Sequence, residues 1–247
     1  MKKIVVAAPV YISTEQHKIF TEQTFNSVDE KYPLIVYINK TYEDFKATRD
    51  LTAMIGKELS VAASWNKLIK EGLKNHKYVL VINTDIIFHE RAIDNLVKFA
   101  EANPDYIMWT GAEWPELKTI HDIPDDELKN SDEAPHFSAF MVNQRTIDEI
   151  GWFDENIERA YTEDMDYHRR ILMLNHKAGK TASARFYHFG SRTIHCDDEL
   201  RRLNGVTHAK NNAYFQRKHG YNPDGNVART DEGFAYPFND KNKSWKE

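Results

Sequence analysis

Three short clusters carry side chains able to hold a metal ion or move a proton. The first is Asn83-Thr84-Asp85, directly after the apolar run Tyr78–Ile82. A carboxylate there would repel a nearby diphosphate unless a divalent cation lay between them. Hard cations take carboxylate and phosphate oxygens together, and neutralise charge that grows on a leaving diphosphate. The same triplet also suits a polar turn at a strand end, where Asn and Asp are favoured. The second cluster is Tyr161-Thr162-Glu163-Asp164-Met165-Asp166. Crowded carboxylates raise one another's pKa, which a general base for an acceptor hydroxyl needs. Thr162 as a helix N-cap, followed by acids in the first turn, explains the same residues structurally. The third is Phe186-Tyr187-His188-Phe189-Gly190-Ser191-Arg192-Thr193. A neutral imidazole at a strand end is a ligand for ions such as Mn2+, although a histidine packed among aromatics is the plainer reading.

The elements that must position these clusters follow from hydrophobic patterning. Ile4–Ala8, Pro33–Ile38, Tyr78–Ile82 and Tyr106–Thr110 are near-continuous apolar runs, as in strands buried on both faces. Pro9 is expected to stop the first. Helical periodicity covers Gln16–Ser27, Val61–Lys74 and Ala92–Ala102, with a short helix over Tyr42–Arg49. Strands alternating with helices predict a mostly parallel α/β sheet, in which ligands bind outside the carboxyl ends of strands. That rule selects Pro9-Val10-Tyr11, Asn39-Lys40 and Asn83-Thr84-Asp85. Residues 111–135, rich in acids and with three prolines, are expected to form a surface insertion or loop. Beyond them come a strand over Phe137–Val142 and a helix over Arg145–Ile150 closed by Gly151. A helix over Asp164–Asn175, a strand over Ala182–Phe189, a helical extension from Arg201 to Arg217 and a tail complete the chain.

Composition bounds the function. The 247 residues include 33 Lys and Arg against 38 Asp and Glu, a formal net charge of −5, which disfavours non-specific nucleic-acid binding. The basic residues Arg201, Arg202, Lys210, Arg217 and Lys218 read as a solvated helix face. The lone Cys196 forms no internal disulfide. Met1-Lys2-Lys3 and Ile4–Val10 read as a buried strand rather than a signal peptide, and no run approaches the ~20 apolar residues of a membrane span. The expectation is a cytoplasmic protein without integral membrane association.

Taken in order, these segments resemble the family 2 glycosyltransferases of the GT-A (Rossmann-like) fold, over roughly residues 3–220. The resemblance is carried by Val5–Tyr11, Ser64–Gly72 with its Asn66, Tyr78–Asp85 as the strand ending in a DXD motif, and Phe140–Val142. It continues through Ile150-Gly151-Trp152-Phe153-Asp154-Glu155, Glu163-Asp164-Met165-Asp166, His188-Phe189-Gly190-Ser191 and Tyr214–Gly220. It implies one glycosyltransferase domain over 1–220, with a nucleotide-sugar half (1–110), an acceptor half (111–220) and a tail (221–247). It also implies an inverting, single-displacement transfer. By that likeness Asp85 and His188 hold Mn2+ or Mg2+, and Asp164, helped by Glu163, is the base. Pro9, Val10, Tyr11, Asn39, Asn66, Asn83 and Thr84 contact a UDP-, GDP- or dTDP-sugar, and Trp152 contacts the acceptor. Asp166, on another side of its helix, is expected to be structural. Two positions depart from the pattern, Asn83 at the first DXD position and Asn39 where the family has a base-recognising Asp. Two alternatives stand beside this reading: a transferase acting on modified bases of DNA, with nucleic acid only as acceptor, and a non-catalytic nucleotide-sugar-binding module. A nucleotidyltransferase would normally show a Gly-rich loop after the first strand, and Pro9–Ser13 has no glycine.

Overall fold

The apolar runs become the middle of one nine-stranded sheet. It is seen in a computed structural model that describes residues 2–41, 49–125, 130–131, 134–190, 194 and 196–220. The strands are β1 (Lys2–Tyr11), β2 (Leu34–Lys40), β3 (Thr52–Ile55), β4 (His76–Ile82), β5 (Ile86–Phe88), β6 (Met108–Trp114), β7 (Asn130–Ser131), β8 (Ala139–Asn143) and β9 (Ala178–His188). The helices are α1 (Glu15–Asn26), α2 (Val61–Leu73), α3 (Ala92–Ala102), α4 (Gln144–Ile150), α5 (Glu163–Met173) and α6 (Asp198–His219). The sheet order is β3-β2-β1-β4-β8-β6-β9-β5, with β7 beside β9. The helix expected over Tyr42–Arg49, the turn at Ser191–Thr193 and the tail fall wholly or largely outside the described residues.

The sheet is mixed rather than mostly parallel. β1 pairs in parallel with β2 and β4, but β8 runs antiparallel to both β4 and β6. A strand buried on both faces is apolar in either direction, so its composition does not disclose its sense. Pro9 does not end β1 either. Val6 N donates to Pro33 O and Ile12 N to Lys40 O, so even-numbered donors face β2. The missing donor of Pro9 therefore points to the β4 side, where pairing has already ended at Ala7↔Val81.

Successive residues of β1 feed two cores. Ile4, Val6, Ala8 and Val10 pack on one face with residues of α1 and α3, while Val5 and Ala7 pack on the other with α2, α4 and α5. Side chains cap the entry of several helices: Thr14 accepts from His17 N, Ser60 from Ala63 N, and Asn143 and Thr146 form a reciprocal capping box. Among the described residues, no helix is long and apolar enough to cross a membrane.

Candidate active site

A cleft of about 600 Å³ opens at the carboxyl ends of β1, β2 and β4. Pro9, Tyr11, Asn39, Asn83, Thr84, Asp85, Glu163, Asp164 and His188 all line it. Strand pairing brings the two far-apart candidate metal ligands together. The short β5, next after Asp85, pairs antiparallel with the end of β9 in the register Ile86↔His188. Phe189 N also donates to Asp85 O at 2.9 Å. His188 Nε2 consequently lies 3.2 Å from Asp85 Oδ1, both side chains being largely buried. Burial lowers the His188 pKa, but the hydrogen bond and charge of Asp85 outweigh it and raise it overall, so the two side chains pair as ions. A divalent cation held by the same nitrogen and carboxylate oxygen would replace the proton they share. Among the described residues no group of three or more His, Cys, Asp or Glu forms a metal site. Two donors fit Mg2+ or Mn2+ that completes its shell with phosphate oxygens and water.

Beside this pair stands Glu113, in the segment expected to be a surface insertion. Gly111–Trp114 instead extend β6 into the cleft. Between Gly111 and Glu113 the register with β9 jumps from Thr181 to Phe186. A Cβ at Gly111 would meet Ala184 O at 2.2 Å, so only glycine permits this approach. Glu113 Oε2 lies 2.6 Å from His136 Nε2, and Oε1 lies 4.0 Å from His188 Nδ1. Sequence reasoning passed over both Glu113 and His136. The available signal was the alternation Gly111/Glu113 against Ala112/Trp114, unbroken until Pro115.

The opposite wall is the entry to α5. Arg159, Tyr161 and Thr162 all have positive φ, at 53°, 70° and 85°, which non-glycine residues rarely adopt. Thr162 therefore does not cap α5 with its side chain as expected; its Oγ1 lies 3.2 Å from Asn212 Oδ1 instead. The strained segment is tied down by Asn211 of α6, whose amide donates to the carbonyls of Glu158, Ala160 and Tyr161 at 2.8, 3.2 and 3.1 Å. Its carbonyl accepts from Glu158 N at 2.9 Å. Strain of this kind persists only where neighbours over-determine it, and it collects at functional sites.

This loop sets Glu163 and Asp164 at the cleft and turns Asp166 away. Burial raises the Glu163 carboxyl well above its ordinary range, and the Asp164 charge raises it further. Burial likewise raises Asp164, against a hydrogen bond from Met165 N that favours its ionised form. For Asp166 burial also works upward, but the charges of Lys218 and Arg170 and the hydrogen bond with His219 overcome it and hold the carboxyl far below the carboxylate range.

Three expected contact residues do not reach the cleft. Val10 is fully buried in the first core. Asn66 spends its amide on Phe153, accepting from its N and donating to its O, each at 2.9 Å, and also donates to Glu155 Oε1. It thus fastens residues 153–155 to α2. Trp152 packs against the second core and is absent from the cleft lining. Asn39 does line the cleft, with its carbonyl held by Leu59 N at 2.8 Å.

No family model matches the sequence. Over 146 residues the chain is 26% identical to a galactofuranosyl glycosyltransferase from Leishmania donovani, an alignment taking in 54% of this chain and 32% of that protein. The chain thus spans about a third of the length of that curated relative. In three dimensions it is similar to a crystal structure of GalNAc-T7 with UDP, GalNAc and Mn2+, with a TM-score of 0.58 at 9% identity, over 76% of this chain and 44% of that one. The chain has the GT-A fold.

Proposed function

We propose that this chain is a metal-dependent, inverting glycosyltransferase that moves a sugar from a nucleotide-sugar to a hydroxyl acceptor. The observation carrying this reading is the single cleft that Asp85 and His188 share with Glu163 and Asp164. The relative named a galactofuranosyl glycosyltransferase, and the fold neighbour that holds UDP and Mn2+, support it. In this reading residues 1–220 are one domain, whose first half receives the donor and whose second half receives the acceptor.

In this reading Pro9, Tyr11 and Asn39, which line the cleft, receive the nucleotide, and Asn83 and Thr84, which line it too, receive the diphosphate. A Mn2+ or Mg2+ ion held by Asp85 and His188 would neutralise charge on the departing diphosphate. Asp164, its affinity for a proton increased by burial, takes the proton of the acceptor hydroxyl. The acceptor oxygen forms its bond to the anomeric carbon while the bond from that carbon to the diphosphate oxygen breaks. The electron pair leaves with the nucleoside diphosphate, and attack from the opposite side inverts the anomeric centre.

A thermal-shift screen of UDP-, GDP- and dTDP-sugars, each with and without Mn2+, tests the donor half of this reading. A ligand of the native state raises Tm by mass action. A metal-dependent rise with one nucleotide is expected, and Asp85→Ala is expected to remove the metal-dependent part. No shift with any donor overturns the reading.

A further inference from the structure

Buried polar atoms without partners are uncommon in folded proteins. Three belong to residues in the wall of the cleft: Trp65 Nε1 from α2, Glu163 Oε2 from α5 and Asn204 Oδ1 from α6 have no hydrogen-bond partner among the described residues. The three residues are 2%, 6% and 4% exposed. Asn204 belongs to the helix whose polar composition reads as a solvated face, yet it is buried at the site.

The chemistry of the set restricts its ligand. It offers one N–H donor and two oxygen acceptors. A metal-bound diphosphate presents acceptor oxygens only, so it leaves Asn204 Oδ1 and Glu163 Oε2 unpaired. Sugar hydroxyls both donate and accept, and one ring presents several of them. We propose that Trp65, Glu163 and Asn204 form a subsite for the hydroxyl groups of a sugar ring, an inference that rests on the glycosyltransferase reading. The terminal torsions of Asn and Glu are broad and roughly two-fold, so both oxygens can turn toward a ring without backbone movement. Burial keeps the Glu163 carboxyl protonated to higher pH than usual, which lets it donate as well as accept. The ring can come from the donor or from a saccharide acceptor; the hydroxyl chemistry is the same.

The test is calorimetry on the full chain with Mn2+. The titrants are UDP alone, a panel of UDP-sugars (galactose, galactofuranose, N-acetylglucosamine, N-acetylgalactosamine), and the matching methyl glycosides added over saturating UDP. Trp65→Phe removes the indole N–H and Asn204→Leu removes the side-chain amide from a buried site. Both variants are expected to bind UDP within twofold of the wild type, and to bind at least one UDP-sugar or methyl glycoside about tenfold more weakly. Loss confined to UDP-sugars assigns the ring to the donor, and loss confined to methyl glycosides assigns it to the acceptor. Asn204→Asp, which keeps an oxygen acceptor, is expected to retain binding. Removing an unpaired buried group should not lower stability, so Asn204→Leu is expected to keep a Tm no lower than wild type. Equal affinity of wild type and both variants for every sugar overturns the subsite, as does equal weakening of UDP alone. Failure of the parent reading looks different: the wild type itself then binds neither UDP nor any UDP-sugar, and the subsite falls with it.

Discussion

Asp164 and Asp166 stand two residues apart on one helix and meet opposite environments. Asp164 lines the cleft, where burial raises its affinity for a proton. Asp166 is fully buried between two cations, Lys218 Nζ at 2.6 Å and Arg170 Nε at 3.0 Å, with His219 Nε2 hydrogen-bonded to it at 2.8 Å. The same Lys218 reaches Asp154 at 2.6 Å, and Tyr214 donates to Asp154 at 2.8 Å. Surroundings, not residue type, divide the labour between two carboxylates. One is kept able to accept a proton, and the other is held charged as an anchor between α5 and α6. Residues i and i+2 of a helix do not share a face, and this lets one turn serve both ends.

The largest expected effect breaks the reactive side. Asp164→Asn is expected to lower kcat by about 10²–10⁴-fold, the usual contribution of a general base, while calorimetric donor affinity stays unchanged. Wild-type turnover in that variant would remove Asp164 from the role. The anchoring side responds in stability instead. Lys218→Met leaves Asp154 and Asp166 without their shared cation, and is expected to lower the unfolding free energy by about 3–5 kcal/mol in urea titration. A loss under about 1 kcal/mol, the range of exposed pairs, would show that the network contributes little.

The smallest effect sharpens the contrast through pH. Glu163 has its folded pKa raised. Below the unfolded value the carboxyl is protonated in both states and carries no cost. As pH rises above it, the unfolded chain ionises first, and wild-type stability falls by up to about 1.4 kcal/mol per pH unit until the folded pKa is reached. Glu163→Gln is expected to lack that slope, so its advantage over wild type should grow between pH 5 and pH 7. Parallel stability curves would count against a protonated Glu163.

How much of this was legible in the residues differed by element. The long apolar strands and α3 lay where periodicity put them, and the clusters ending in Asp85, Asp164 and His188 meet in one cleft. β3 and β5, at four and three residues, were too short for any period to register, yet β5 supplies the pairing that places Asp85 beside His188. Asn66 and Trp152 lie outside the cleft lining, because a motif fixes residue identity but not which neighbour uses the amide or ring. Thr162 lost its capping role to a φ that no sequence rule foretells. Asn204 gave no signal, since its place in the cleft wall comes only from chain segments far away in sequence, whereas Glu113 lay in a short alternation overshadowed by the acids and prolines around it.

Helix α6 is fastened at both extremities. Its N-cap Asp197 accepts a hydrogen bond from Ser13 Oγ, just beyond β1, and its last turn holds Asp154 and Asp166 through Lys218 and His219. At 22 residues it is a strut about 33 Å long, joining the first strand to helix α5. A helix so pinned has no loose terminus from which to fray. Its backbone amides should therefore exchange with solvent only when the sheet itself opens, as one cooperative unit. The strained loop at residues 159–162 gains its clamp only from Asn211 of this same helix, so the geometry of the cleft wall depends on a segment about fifty residues further along the chain.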